Sequence, residues 1–362
     1  MYYFRSINTK LCIFMKKLLL TVVVAAFFFS CENDANDYNQ TGATSNEQTQ
    51  NFASKPTKEL ERLRKEAFDK MNLGGMYRYS SQKGLTISGD MLKGQTTSSI
   101  VIPPNALTYE DGGLIDGYIY VDYVELFTIE KMVSLNKPTM GFNPQTGERE
   151  LLVSGGEFYL MIRDANGTQV TLNQPIQVNI ATNNSQANPN GMLLWNGITD
   201  PDGSFWWNNA AVSDVSFANG SPVFQEGTVY NILINNSSTF GWYNCDKFYS
   251  DPRPKTNMSI KIPAGFNQSN SSVYVAFENE KNALMHLYSF DAAFNMFGTP
   301  QPAIPDGINA HIIFVGEQNG QYRYEIISTV ITGGNPVFNV NPGNLITTSN
   351  FQQIENHILT LP

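Results

Sequence analysis

From residue 75 onward apolar side chains recur at every second position, a period that gives one dry and one wet face only to a pleated strand. Ile119, Val121 and Tyr123 alternate with Tyr120, Asp122 and Val124, and Phe158, Leu160 and Ile162 alternate with Tyr159, Met161 and Arg163. Ile176, Val178 and Ile180 form a third row. A second series runs through Tyr230, Ile232 and Ile234; Met258, Ile260 and Ile262; Val273, Val275 and Phe277; Ile313 and Val315; and Tyr322, Tyr324 and Ile326. These runs are short and are separated by Gly, Pro and Asn at the intervals of a β-sandwich. Helices and strands do not alternate along the chain, which argues against dinucleotide-binding and α/β-barrel enzymes. The pattern predicts an all-β protein of two consecutive β-sandwiches, over 75–182 and 221–362. Between them 183–220 reads as a linker with a small insert, in which Leu193–Trp195 and Phe205–Trp207 add short strands. Asp164-Ala165-Asn166-Gly167 has the chemistry of a tight hairpin turn, because Asn-Gly accepts positive φ.

The N-terminal part follows other rules. Lys16-Lys17 precede an uncharged run from Leu18 to Phe29, too short to cross a hydrocarbon core, and Ser30-Cys31 follow. This is the layout of a lipoprotein signal, with residues 1–30 removed, Met15 as the functional start and Cys31 as the lipidated first residue. Phe28 stands where such signals usually carry Leu. Residues 31–56 contain almost nothing to bury and read as a flexible tether. Its acidic start, with Glu32, Asp34 and Asp37, resembles the export signal of Bacteroidetes-type surface lipoproteins. The expected location is therefore the outer membrane, with the protein lipid-anchored and facing the cell exterior. Over 57–74 the period is helical: Leu60, Leu63, Ala67 and Met71 share one face, Glu61 with Lys65 and Glu66 with Lys70 are spaced as ion pairs, and Thr57 and Gly74-Gly75 bracket the helix.

Charge narrows the partners. Without Arg5, Lys10, Lys16 and Lys17 the chain keeps 19 basic and 32 acidic residues, a net charge of −13. Such a surface repels phosphate backbones and excludes nucleic acid as an expected partner. After Cys31 the only thiol is Cys245, so no internal disulfide forms and the fold rests on packing. Cys245 and Trp242 are both expected to be packed inside rather than to act on a ligand.

Three segments carry a family resemblance. Ser99-Ile100-Val101-Ile102-Pro103-Pro104-Asn105-Ala106-Leu107, Gly117-Tyr118-Ile119-Tyr120-Val121 and Ser154-Gly155-Gly156-Glu157-Phe158-Tyr159-Leu160 resemble the ZU5-like β modules of secreted and surface proteins. Bacterial lipoproteins of this kind also carry a segment like Gly241-Trp242-Tyr243-Asn244-Cys245-Asp246-Lys247-Phe248 in their second half. The resemblance covers about 90–335 and implies architecture and surface placement rather than an activity. Eukaryotic relatives sometimes cleave themselves at a His, aromatic, Ser sequence; His286-Leu287-Tyr288-Ser289 departs from it by one inserted residue, so self-cleavage is not expected.

Motifs for chemistry are sparse. His286, His311 and His357 do not stand at metal-ligand spacing from one another or from the thiol, and no nucleophile elbow, phosphate loop or zinc-protease helix occurs. A carboxylate-based hydrolase needs only two acids placed by the fold, which linear spacing does not display. Asp200 and Asp202 precede Gly203 as in a calcium loop, but Ala211 occupies the position of the closing acid, so a plain turn is expected and no metal or cofactor. Trp206 and Trp207 follow, and on a strand they point to opposite faces, so at most one is an exposed ligand contact. The expected function is that of a non-enzymatic binding or scaffold component at the cell surface, meeting a protein or glycan partner. The alternative is a carbohydrate-binding lipoprotein associated with glycan uptake or degradation.

Overall fold

A computed structural model describes residues 51–52, 55–93, 96–181, 191–201, 203–209, 223–226, 229–235, 237 and 240–362. Strands dominate it, and the α-helices among the described residues are α1 (Lys58–Met71), α2 (Ile129–Leu135) and α3 (Phe351–Leu359). The chain is all-β with a thin helical layer, and residues 49–362 gather into one compact unit.

The first body is two sheets face to face. One has the strand order Val223–Glu226, Val229–Ile234, Ile176–Ala181, Ser99–Ile102, Leu85–Ile87. The other runs Gly241–Phe248, Leu193–Thr199, Phe205–Asn209, Met140–Asn143, Glu148–Asp164, Gly117–Leu126, Gly75–Tyr79. Their inward rows form one core, with Ile100, Ile176, Val178 and Ile180 from the first sheet and Ile119, Val121, Phe158 and Leu160 from the second. Pro103 follows directly on Ile102, the last residue of its strand, where a missing donor costs no ladder bond.

The expected boundary near 220 does not coincide with the strand pairing. Ile234, Ile232 and Tyr230 lie opposite Ile176, Val178 and Ile180, and Gly241–Phe248 pairs with Glu148–Asp164. The rows assigned to the start of a second sandwich thus complete the first, because their inward side chains fill the same core. The segment read as a linker is also built in. Leu193–Thr199 pairs with both Phe205–Asn209 and Gly241–Phe248, and Trp207 lies opposite Gly141. Since Met140–Asn143 pairs in turn with Glu148–Asp164, five strands close into a ring around Leu152, Trp195, Phe205 and Trp207. The Asp164–Gly167 turn forms, with Gly167 N donating to Asp164 O at 3.0 Å, but it does not open a hairpin ladder. Only Arg163 and Gln169 bridge, after which the chain crosses to the opposite sheet.

The second body is built from the chain after Phe248, with Asn51–Phe52 added at one edge. Leu284–His286, Ser271–Phe277, Ile308–Gln318, Gln321–Ile331 and Ile346–Thr348 make one sheet; Asn51–Phe52, Ser289–Asp291, Met296–Gly298, Ser259–Lys261 and Val337–Asn339 make the other. Ile260, Val273, Val275, Ile312 and Phe314 are among the residues between them.

The helices fill the space between the two bodies. Thr57 caps α1 by accepting from Leu60 N at 3.2 Å, and Leu60, Leu63 and Ala67 form its buried stripe. Its ion pairs differ from the expected ones: Arg62 bonds Glu59 and Glu66, and Lys65 bonds Asp69 at 2.6 Å. Leu63 and Ala67 pack with Val124 and Leu126 of the first body, Tyr274 and Ile313 of the second, and Met132 and Ile354 of the other helices. After α1 the chain turns back onto the first sheet at Gly74, where a Cβ would stand 1.9 Å from Val121 O.

Candidate functional site

The residues expected to act lie in different environments. Trp206 and Trp207 do point to opposite sides of their strand. Trp207 is wholly buried and donates from Nε1 to Pro138 O at 2.9 Å, whereas Trp206 is half-buried and donates to Asp200 Oδ1 at 3.0 Å. Asp200 is held further by Arg149 at 2.6 Å, and the Arg149 guanidinium lies between Trp206 and Tyr288, 5.4 and 5.2 Å from their ring centres. Asp200 is therefore committed to a turn and an ion pair. Asp202 lies outside the described residues, as do Cys31, Glu32, Asp34 and Asp37. Cys245 is buried in the first core, and burial pushes its thiol well up. Trp242 is only half-buried, packed on Tyr159 and Phe68 at 5.3 and 6.1 Å.

Two of the segments quoted for the family resemblance meet as neighbouring strands. Asn244 lies opposite Glu157 and Asp246 opposite Ser154, so Gly155 and Gly156 face Cys245 alone and form a β-bulge. A Cβ on Gly155 would meet Cys245 O at 2.8 Å, and one on Gly156, whose φ is +149°, would meet the Phe127 ring at 2.9 Å. The bulge brings Glu157 and Asp246 together in the interior. Asn244 Nδ2 donates to Glu157 Oε1 at 3.3 Å and to Asp246 Oδ2, and Ser154 Oγ bonds Asn244 Oδ1 at 2.8 Å. Burial, and then the neighbouring Asp246, push the Glu157 carboxyl well up; burial does the same to Asp246 against bonds from Ser154, Asn244 and Gly155. Lys137, its ammonium 3.7 Å from the Phe205 ring centre, is brought down to about 7 by burial and then by Arg64. The fold does assemble two acids, but both are completely covered, and Glu157 Oε2 and Asp246 Oδ1 have no hydrogen-bond partner in this buried polar cluster.

The accessible feature is on the outer face of the first body. There Val124, Leu126, Tyr159 and Trp242 lie under the helical layer, but the same face continues uncovered beyond the end of α1. Tyr118 is 54% exposed, Tyr120 42% and Met76 55%. Met76 lies opposite Tyr120 and Arg78 opposite Tyr118, while Tyr120 has Arg163 on its other side. Arg163 pairs with Asp122 at 2.6 Å, and Asn72 donates to the other oxygen of Asp122 at 2.7 Å. Gly75–Tyr79 pairs only with Gly117–Leu126 among the described residues, so the patch borders an open sheet edge. Rings and thioether supply apolar area, and the guanidinium groups and carboxylate supply directional bonds beside it.

Sequence reasoning chose Trp206 and passed over Tyr118 and Tyr120. The signal was in the alternation itself, since these tyrosines occupy outward positions of a strand whose inward row is Ile119, Val121 and Tyr123. Compared with known proteins, the chain matches no family model, and no curated protein sequence matches it.

Proposed function

We propose that this chain is a lipid-anchored protein of the outer-membrane surface, attached through Cys31, whose ZU5-like β-sandwiches act as a non-enzymatic binding or scaffold component. The observation that carries the binding reading is the uncovered row of Met76, Tyr118 and Tyr120, flanked by Arg78, Arg163 and Asp122. Large apolar side chains next to guanidinium groups are the composition of protein contact surfaces, and a solvated strand face seldom carries them together. The signal-like segment before Cys31 and the acids Glu32, Asp34 and Asp37 support the surface assignment. A glycan partner is the second reading, favoured by two tyrosine rings on one strand beside bond-forming Arg and Asp groups.

The test is a Tyr118→Ala, Tyr120→Ala double variant, compared with the native protein in cross-linking on intact cells and on a glycan array. The expected result is loss of the cross-linked partner with the melting temperature unchanged, because exposed rings contribute little to the core. An array signal lost in the variant selects the glycan reading. Unchanged cross-linking rejects this face. Cys31→Ala should abolish incorporation of a lipid label, and a variant still labelled rejects the anchor.

A further inference from the structure

Although the chain is strongly acidic, one partly open cavity is lined by an arginine and a histidine with no acid in its wall. It has a volume of about 30 Å³, and its lining includes Arg64, Gln268, Ser272, His286 and Tyr288. It lies where α1 meets both bodies: Arg64 comes from α1, His286 from Leu284–His286, and the neighbouring wall from the Ser204 loop. Arg149 reaches this wall, with a guanidinium nitrogen 3.5 Å from Ser204 Oγ, but its charge is already met by Asp200.

Among the described residues Arg64 has no carboxylate partner of this kind. It donates to Ser272 Oγ at 3.3 Å and meets the Tyr274 hydroxyl, and it belongs to none of the ion pairs among the described residues. Glu61, on the same helix, acts on it after Tyr274 and Tyr322. Arg64 is half-buried, and a guanidinium partly withdrawn from water gains when an anion sits beside it. Gln268 Oε1 is buried without a hydrogen-bond partner, and turning this amide over puts two N–H donors where the oxygen now lies. His286 stacks on Tyr274 with ring centres 5.3 Å apart. Burial, then Arg64, then Arg149 hold it neutral, down to about 3, so an anion here would relieve the last two.

We propose that this cavity is a binding site for a small free oxyanion, of the sulfate or phosphate class, held by Arg64 with Ser272, Gln268, His286 and Tyr288 as further donors. The volume sets the class. One water-sized sphere needs about 10–15 Å³ on this measure, so the space suits an ion of a few non-hydrogen atoms and is too small to enclose a nucleotide or sugar. The guanidinium fork matches two oxygens of such an ion.

The test is calorimetric titration and thermal unfolding of the purified full chain with sulfate and with phosphate, at low millimolar concentration and constant ionic strength made up with chloride. The expected result is saturable binding with one ion per chain and a rise in melting temperature that chloride does not give. Arg64→Gln should abolish both. Gln268→Glu provides an internal counter-ion for Arg64; it should raise the melting temperature in chloride buffer free of sulfate and phosphate and remove the response to sulfate. The second variant keeps the test decisive if the first does not fold. Absence of saturable binding in the native protein, or binding retained in Gln268→Glu, overturns the proposal.

Discussion

Adjacent residues of one type can have opposite roles when they sit on a strand. Trp207→Ala would empty the centre of the closed ring and should cost about 3–5 kcal/mol, whereas Trp206→Ala, removing a half-buried ring, should cost about 1–2 kcal/mol. Denaturant unfolding of both variants checks the ratio. The buried acids make a pH prediction. Burial raises both Glu157 and Asp246, so the folded state keeps protons that the unfolded chain releases from about pH 4 upward, and their contribution to stability falls as pH rises. Lys137 has the opposite sign: folded it deprotonates at about 7, well below an unfolded lysine, so its contribution rises with pH above that point. Asp246→Asn should flatten the decline in melting temperature that the buried carboxyls cause from about pH 4 upward. A decline as steep as in the native protein would remove these carboxyls as its source.

Among the elements, α2 and α3 are joined by one charged pair. Lys131 of α2 meets Glu355 of α3 at 2.9 Å, and Glu355 is 3% exposed. Lys131→Ala leaves that carboxylate buried and alone and should cost about 2–3 kcal/mol, and Lys131→Met with Glu355→Leu should recover most of it. Chemical denaturation of the single and double variants measures the difference. How far such elements are legible in sequence depends on where their partners lie. The row Ile119, Val121, Tyr123 names its own strand and inward face, because alternation is local. That Ile176–Ala181 pairs with Val229–Ile234 rather than with Glu148–Asp164 is set by sequence-distant cores, and the Asp164–Gly167 turn pointed to the nearer partner. The acids Glu157 and Asp246 stayed hidden for the same reason: only the register of Gly241–Phe248 on Glu148–Asp164 brings them together. Tyr118 and Tyr120 were legible as outward residues, but not that the helical layer stops short of them.

At the scale of the molecule, one strand joins everything. Glu148–Asp164 gives Leu151 and Val153 to the second core, Leu152 to the ring, and Phe158, Leu160 and Ile162 to the first core. The two bodies should therefore melt together, with a single calorimetric transition whose van't Hoff and calorimetric enthalpies agree. Two resolved transitions would mean that the shared strand and helices do not couple them. The long return of the chain has a further consequence in time. Polypeptides leave the ribosome N-terminus first, and although the strands over 75–126 pair with Glu148–Asp164 and Ile176–Ala181, their core is completed only once residues 229–248 have followed. The five-strand ring cannot close before then either. Throughout that interval of synthesis the nascent chain carries rows of Ile, Val and Tyr that are only partly covered, so its maturation is set by its last-arriving strands, and its early half is the substrate a holding chaperone would recognise.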